Sequence, residues 1–380
     1  MNIYKSFTFD KAKSMLESLV KIPSVSKNEE ELAIFLNNWL NGIGMQSEID
    51  RHGNVIARKK YSDDGIKFCL NTHMDTVDIY ETWTKDPFGC EMEGTKMYGC
   101  GALDTKGPMA GMLMALEAIV QSDVELKGEL IFTAVVCEEY PGEDNKGTVK
   151  LIRDGFSADM VLVGEPTEMK ICRGCQGMTE VLIRAQGKTI HASTAESGVN
   201  AIQSMVKLIN VMNARLKPGY SELLGPGSIN VGVINGGTRS ASVPDVCTLK
   251  VSRFVVEGES GQMFKDEIDA IINELATDDP AFNAVTELTY ASLAGVIPQD
   301  HPLTDLMRRA TAKALGKEAP VYGMRAHLDT DFLINMAGIP SLSFGPGNLA
   351  FAHQEDEWID VSDIPDAAKV YAAAILDALS

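Results

Sequence analysis

An apolar run, residues 66–70, ends in Asn71-Thr72-His73-Met74-Asp75-Thr76-Val77-Asp78. A buried strand that finishes in a histidine and carboxylates constrains the fold strongly, because it belongs in a sheet whose end can carry chemistry. Successive side chains of an extended run face opposite sides, so His73 and Asp75 project the same way. That spacing suits a metal-binding imidazole whose second nitrogen is oriented by a carboxylate. Taken alone, the pair reads equally well as a solvated couple at a strand end.

The neighbouring patterns place this strand in an α/β layer. Ser26-Lys27-Asn28-Glu29 has the form of a capping box, and Leu32, Phe35, Leu36, Trp39 and Leu40 follow at helical spacing, with Gly42 available to end the helix. Met15, Leu16, Leu19 and Val20 mark a shorter helix before it. Strand-like runs at 55–58, 66–72, 129–136 and 160–163 alternate with a buried helix at 107–120 that carries Pro108 in its first turn. After about Cys175 the order becomes β-α-β-β-α-β, with strands at 178–185, 228–234, 247–256 and 285–290 and helices at 199–214 and 261–276. This is the ferredoxin-like order. The α/β pattern resumes at His301-Pro302, with helices through 315, near 331–337 and after Pro365, and a strand at 341–344. A smaller α+β domain, 176–289, is therefore expected inside a discontinuous larger one, 1–175 and 290–380.

At 380 residues the chain is too long for one small core. Its 45% hydrophobic and 23% charged content is globular. A net charge of -19 argues against nucleic acid or an anionic membrane as partner, since both are polyanions. No 18-residue apolar span and no signal-peptide pattern occurs, so a cytoplasmic protein is expected. The seven cysteines are scattered and mostly within apolar runs, as buried free thiols are. Cys172-Arg173-Gly174-Cys175 has the C-x-x-C form, but no second pair completes a four-sulfur site.

Four more clusters fall where strands of the larger domain should end: Asp104 in the glycine-punctuated loop 99–107, Glu138-Glu139, Glu165 before Pro166, and His353 in Ala352-His353-Gln354-Glu355-Asp356-Glu357. Open α/β sheets bind ligands outside the carboxyl ends of their strands. Singly, each cluster also reads as a solvated turn. Jointly, two histidines and several carboxylates form the ligand set of a dinuclear site for zinc, or for cobalt or manganese. The loop lacks a phosphate-binding spacing, and neither a G-x-S-x-G elbow nor an H-E-x-x-H helix occurs. His327, in Met324-Arg325-Ala326-His327, is the rival to His353 as a ligand.

With these segments assembled, the chain resembles the M20 metallopeptidase and deacylase family, which includes acetylornithine deacetylase, succinyl-diaminopimelate desuccinylase, aminoacylase and carboxypeptidase G. The resemblance rests on Thr72-His73-Met74-Asp75-Thr76-Val77, Trp83-Thr84-Lys85-Asp86-Pro87-Phe88, the 99–107 loop, Glu138-Glu139, Gly164-Glu165-Pro166-Thr167, His191-Ala192-Ser193, Gly198-Val199-Asn200-Ala201-Ile202 and Ala352-His353-Gln354, in the family's order. It implies a zinc-peptidase-like α/β/α catalytic domain with an inserted ferredoxin-like lid and dimerisation domain. It also implies two divalent metal ions, zinc first, with cobalt or manganese as alternatives.

By the same resemblance, His73 and Glu165 would bind one metal, Glu139 and His353 the other, and Asp104 would bridge them. Asp75 would orient His73, and Glu138 would be the general base. His191 would reach the partner's site in a homodimer, Arg253 would grip a substrate carboxylate, and Gly345 and Gly347 would let substrate approach the backbone. The chain departs from the family pattern at Ala241, where asparagine is usual, and in Arg325 and His327. The expected activity is hydrolysis of a small N-acyl amino acid. A di- or tripeptidase or carboxypeptidase is the second reading, and a catalytically silent metal-binding assembly protein is the third, which a retained Glu138 opposes.

Overall fold

Strand Lys67–His73 runs parallel to Glu129–Val135 on one side and to Met160–Gly164 on the other, and Ser341–Phe344 continues the parallel set. Alternation explains its central place. Phe68 and Leu70 enter one hydrophobic cluster, while Cys69 between them enters another with Ile131, Val161 and Val163. A sheet that is apolar on both faces requires helices on both. Helix Gly107–Val120, apolar around its circumference, packs with helix Ile364–Ala378 in the larger cluster. Across the sheet the order is Gln46–Ile49, Val55–Lys60, Glu129–Val135, Lys67–His73, Met160–Gly164, Ser341–Phe344 and Ile171–Cys175. Because the four central strands are parallel, the segments after His73, Val135, Gly164 and Phe344 all emerge at one edge.

The computed structural model describes residues 3–140, 142 and 146–380. The chain forms two compact units, Met1–Gly174 with Val296–Tyr322 and Phe332–Ser380, and Cys175–Gly295 with Gly323–Asp331. The second unit is larger than the 176–289 expected. It takes in residues 290–295 and also Gly323–Asp331, because His327 Nε2 lies 2.9 Å from the Tyr290 hydroxyl and 3.1 Å from Asp331 Oδ2. No helix among the described residues is long and apolar enough to cross a membrane.

The second unit is a four-stranded antiparallel sheet in the order Ser228–Gly236, Val246–Val255, Gly177–Gln186, Ala284–Ala291, the ferredoxin-like arrangement. Val181, Ile183 and Ala185 alternate inward to meet Phe264 and Ile268 of helix Gly261–Asp278 and Met205 and Leu208 of helix Ala201–Arg215. Asn200 and Ser260 cap these helices through their side-chain oxygens.

Arg253 lies in this interior, which corrects its expected role. It is 3% exposed, and its guanidinium donates to Glu267 (2.8 Å), to the Lys217 carbonyl (2.7 Å) and to Glu259. Nη1 and Nη2 are engaged with internal acceptors, and Nε, which has no partner among the described residues, is buried with them and out of reach of a substrate carboxylate. Arg253→Met is expected to destabilise the protein by about 3 kcal/mol, the low end for breaking a buried pair because Glu267 is partly exposed. Urea denaturation measures the loss; an unchanged midpoint with a raised KM would return Arg253 to substrate binding.

The capping box does not form. Helix Glu30–Ile43 has no side-chain cap, and it ends at Gly44 (φ 99°), past Gly42. Ser26 and Glu29 are drawn instead to the strand ends, as described below. Cys172 and Cys175 sit three apart in one strand, so they face opposite ways and cannot share a metal or a disulfide. Cys175 Sγ meets Thr330 Oγ1 at 3.2 Å, and Cys172 Sγ lies 3.2 Å from the Gly174 carbonyl. All seven cysteines are buried, and none is in a disulfide.

Candidate metal centre

His73 is the last residue of its strand, and Asp75 lies just beyond it. Asp75 is buried and accepts from the backbone N–H of Glu138 (2.8 Å) and Glu139 (2.9 Å) and from Ser26 Oγ (2.6 Å). It therefore fixes the loop after strand Glu129–Val135 as well as the histidine. His73 Nδ1 lies 3.0 Å from the Asp75 carbonyl and 3.5 Å from Asp75 Oδ1. Acceptors on that side place the proton on Nδ1 and leave Nε2 as the donor atom for a cation. Glu29, the other half of the expected capping box, accepts from Cys137 N–H at 3.0 Å.

Asp104 faces both histidines. Its Oδ1 is 3.2 Å from His73 Nε2, and its Oδ2 is 3.3 Å from His353 Nε2. Glu139 Oε1 lies 2.7 Å from His353 Nε2, and Glu165 Oε1 lies 4.0 Å from His73 Nε2. Two ligand groups result, His73-Asp104-Glu165 and Asp104-Glu139-His353, each with its donor atoms within 4.8 Å of one another and with Asp104 common to both. Glu138 belongs to a third such group, with His73 and Glu139. Its Oε2 is 3.6 Å from Lys146 Nζ, a buried cation that the sequence reading overlooked.

The electrostatics are those of an acid-rich site that needs cations. Burial pushes the Glu139 carboxyl up to about 7, and the Asp104 charge adds to it. Burial would raise Asp104 too, but hydrogen bonds from His353 and His73 hold it below the usual carboxylate range. Hydrogen bonds to Asp104 and Glu139 raise His353 to about 11. His73 is raised against the opposing effect of burial by Asp104, Asp75 and Glu165. Protons thus occupy the positions a divalent ion would take, and metal binding must displace them. Imidazole and carboxylate donors without thiolate suit zinc, cobalt or manganese.

Glu357 is a further residue the sequence reading missed, hidden in an acidic run. It is buried and accepts from Leu103 N–H (2.7 Å) and Asp104 N–H (3.1 Å), while burial and the Asp104 charge raise it to about 8. Thr105 Oγ1 donates to the Gly164 carbonyl at 2.6 Å, tying the Asp104 loop to the strand that delivers Glu165. Glu357→Ala is expected to weaken metal binding about 10–100-fold, the usual effect of losing a partner that holds a ligand in place. Competition with a chromogenic chelator measures it, and unchanged affinity would remove Glu357 from the account.

Gly345 and Gly347 are both required by packing within the unit, independently of any substrate. A Cβ at Gly345 would come 2.5 Å from the Glu165 carbonyl oxygen. Gly347 has φ 89°, and a Cβ there would lie 2.2 Å from Leu103 Cδ1. Asp78 is exposed and in no ligand group. His327 is held by Tyr290 and Asp331 in the second unit and joins none either. His191, also in the second unit, is exposed, with Nδ1 accepting from Ser193 N–H at 3.2 Å.

Comparison with known proteins places this geometry in a family. Residues 69–377 match peptidase family M20/M25/M40. The chain is 26% identical to the N-formyl-4-amino-5-aminomethyl-2-methylpyrimidine deformylase of Bacillus subtilis (strain 168), over 94% of this chain and 91% of that protein. It is 28% identical to the acetylornithine deacetylase of Proteus mirabilis (strain HI4320), over 92% of each. Its fold is similar to that of a dinuclear metal binding peptidase of the M20 family from Bacillus subtilis, with a TM-score of 0.73, 17% identity and 98% of each chain covered. The chain belongs to peptidase family M20/M25/M40 and is a metal-dependent amidohydrolase.

Proposed function

We propose that this protein is a dinuclear-metal-dependent deacylase that cleaves the amide bond of a small N-acyl amino acid. The observation that carries the reading is Asp104, which turns one carboxylate oxygen toward each of two histidines. His73 and Glu165 would hold one ion with Asp104, and Glu139 and His353 the other. Bound there, the ions would acidify a water and polarise the amide carbonyl. Glu138 takes the proton of that water as it attacks and returns it to the leaving amine. Asp75 keeps His73 in one tautomer throughout and holds the Glu138 backbone.

Likeness to a deformylase and a deacetylase supports an N-acyl substrate over a peptide. The test is a hydrolysis screen of the zinc-, cobalt- or manganese-loaded protein on N-acetyl, N-formyl and N-succinyl amino acids beside dipeptides. Faster turnover of dipeptides would overturn the deacylase assignment in favour of a peptidase.

The reading includes a homodimer in which His191 serves the partner's site as an oxyanion donor. Its support is an edge strand, Ser228–Gly236, with Val233 and Ile234 46% and 48% exposed. Mixing His191→Ala with Glu138→Ala chains should restore part of the activity each has lost. No recovery in demonstrably mixed dimers would rule the shared site out.

A further inference from the structure

The first unit holds a concavity of about 510 Å³, none of whose lining residues is one of the five proposed ligands. Its apolar part is formed by Ala33, Val136, Ile34 and Ile49, and the two isoleucines are 46% and 37% exposed. Two large aliphatic side chains left in water at one concave site are a feature of binding pockets. Lys27 and Lys150 also line it, and neither forms an ion pair among the described residues of a chain whose net charge is -19. Lys27 Nζ stands 3.6 Å from the centre of the Tyr140 ring. Glu30 supplies an exposed carboxylate, whereas Glu29 is engaged with Cys137 N–H. His52 at the margin is tied to Asp154 Oδ2 at 3.1 Å.

The backbone adds a second observation. Lys27 (φ 76°) and Cys137 (φ 56°) are both non-glycine residues in the left-handed region, and both line this pocket. Such conformations persist only where the surrounding structure imposes them, and they gather at ligand and switch sites. Cys137 is joined by a peptide bond to Glu138, and its N–H is held by Glu29 from the pocket wall. The pocket is therefore mechanically continuous with the loop that carries the base.

We propose that this pocket binds a free aliphatic α-amino acid and thereby regulates the enzyme. The two lysines match the carboxylate, Glu30 matches the ammonium group, and Ile34 and Ile49 match the side chain. The regulatory meaning rests on the deacylase reading, because a free amino acid is the class of amine product that reaction releases. Through the peptide bond between Cys137 and Glu138, saturating leucine is expected to change the wild-type kcat at least about twofold, and to change it in neither Ile34→Glu nor Lys150→Glu. A wild-type kcat unmoved by leucine would overturn the regulatory role.

The test is a calorimetric titration of L-leucine into the metal-loaded full-length protein, beside Ile34→Glu and Lys150→Glu variants whose substituted residues lie outside the metal centre. The wild type is expected to bind leucine at this site, and each variant to bind it at least about tenfold more weakly. Leucine-free kcat/KM is expected to stay within about twofold of wild type in both variants. Binding of leucine by both variants as by the wild type, or no binding by the wild type, would overturn the proposal. So would equally tight binding of 4-methylpentanoate, which lacks the ammonium group. If no N-acyl amino acid is hydrolysed, the reaction assignment fails, while the leucine titration still decides whether this pocket is a binding site.

Discussion

Glu138→Gln is expected to lower turnover on the order of 10³-fold while the protein retains its full metal content. The substitution removes a base and leaves the rest of the site in place. Asp75 grips the loop through the backbone N–H groups of Glu138 and Glu139, so the side-chain change does not release it. Glutamine keeps the volume and an acceptor oxygen beside Lys146 Nζ, which lies 3.6 Å from Glu138 Oε2. Neither of the two ligand groups that share Asp104 includes Glu138. Steady-state kinetics with elemental analysis distinguishes the outcomes. Metal lost in step with activity would make Glu138 a ligand, and near-normal kcat would remove it from the mechanism.

Asp104→Ala is expected to remove binding at both metal positions together. Each of its oxygens faces a different histidine, so one side chain supports both ligand groups. Its loss should exceed the about 10–100-fold typical of an outer-shell partner, because a shared ligand disappears from each group. His73 and His353 would also lose the carboxylate that holds them well above the usual imidazole range, so part of their proton affinity would fall with it. Calorimetric titration with zinc reads the result. Loss of one equivalent with the second binding normally would mean that Asp104 serves a single ion.

Much of this architecture is legible in the sequence because parallel strands buried on two faces leave strong apolar signatures. The run before His73 and the short strands before Glu138 and Glu165 locate three carboxyl ends, and topology brings those ends to one edge. The ferredoxin-like unit is equally readable from its alternating strands and two periodic helices. What local pattern misassigns is polar residues whose partners are distant in sequence. Ser26 and Glu29 have capping-box spacing, yet Asp75 and Cys137 claim them from 49 and 108 residues away. Glu357 looks like one acid among several, and only its contact with a backbone 254 residues earlier gives it a role. The resemblance makes Arg253 a substrate fork, and nothing in its strand reveals that Glu259 and Glu267 fold back onto it.

The central claim, a deacylase that works through two metal ions, is tested most directly by titrating the chelated protein with zinc, cobalt or manganese while following hydrolysis of an N-acyl amino acid. The account predicts no turnover without metal, and turnover that rises to its maximum as two equivalents bind per chain. Full activity after complete metal removal would contradict it, as would a maximum reached with one equivalent bound.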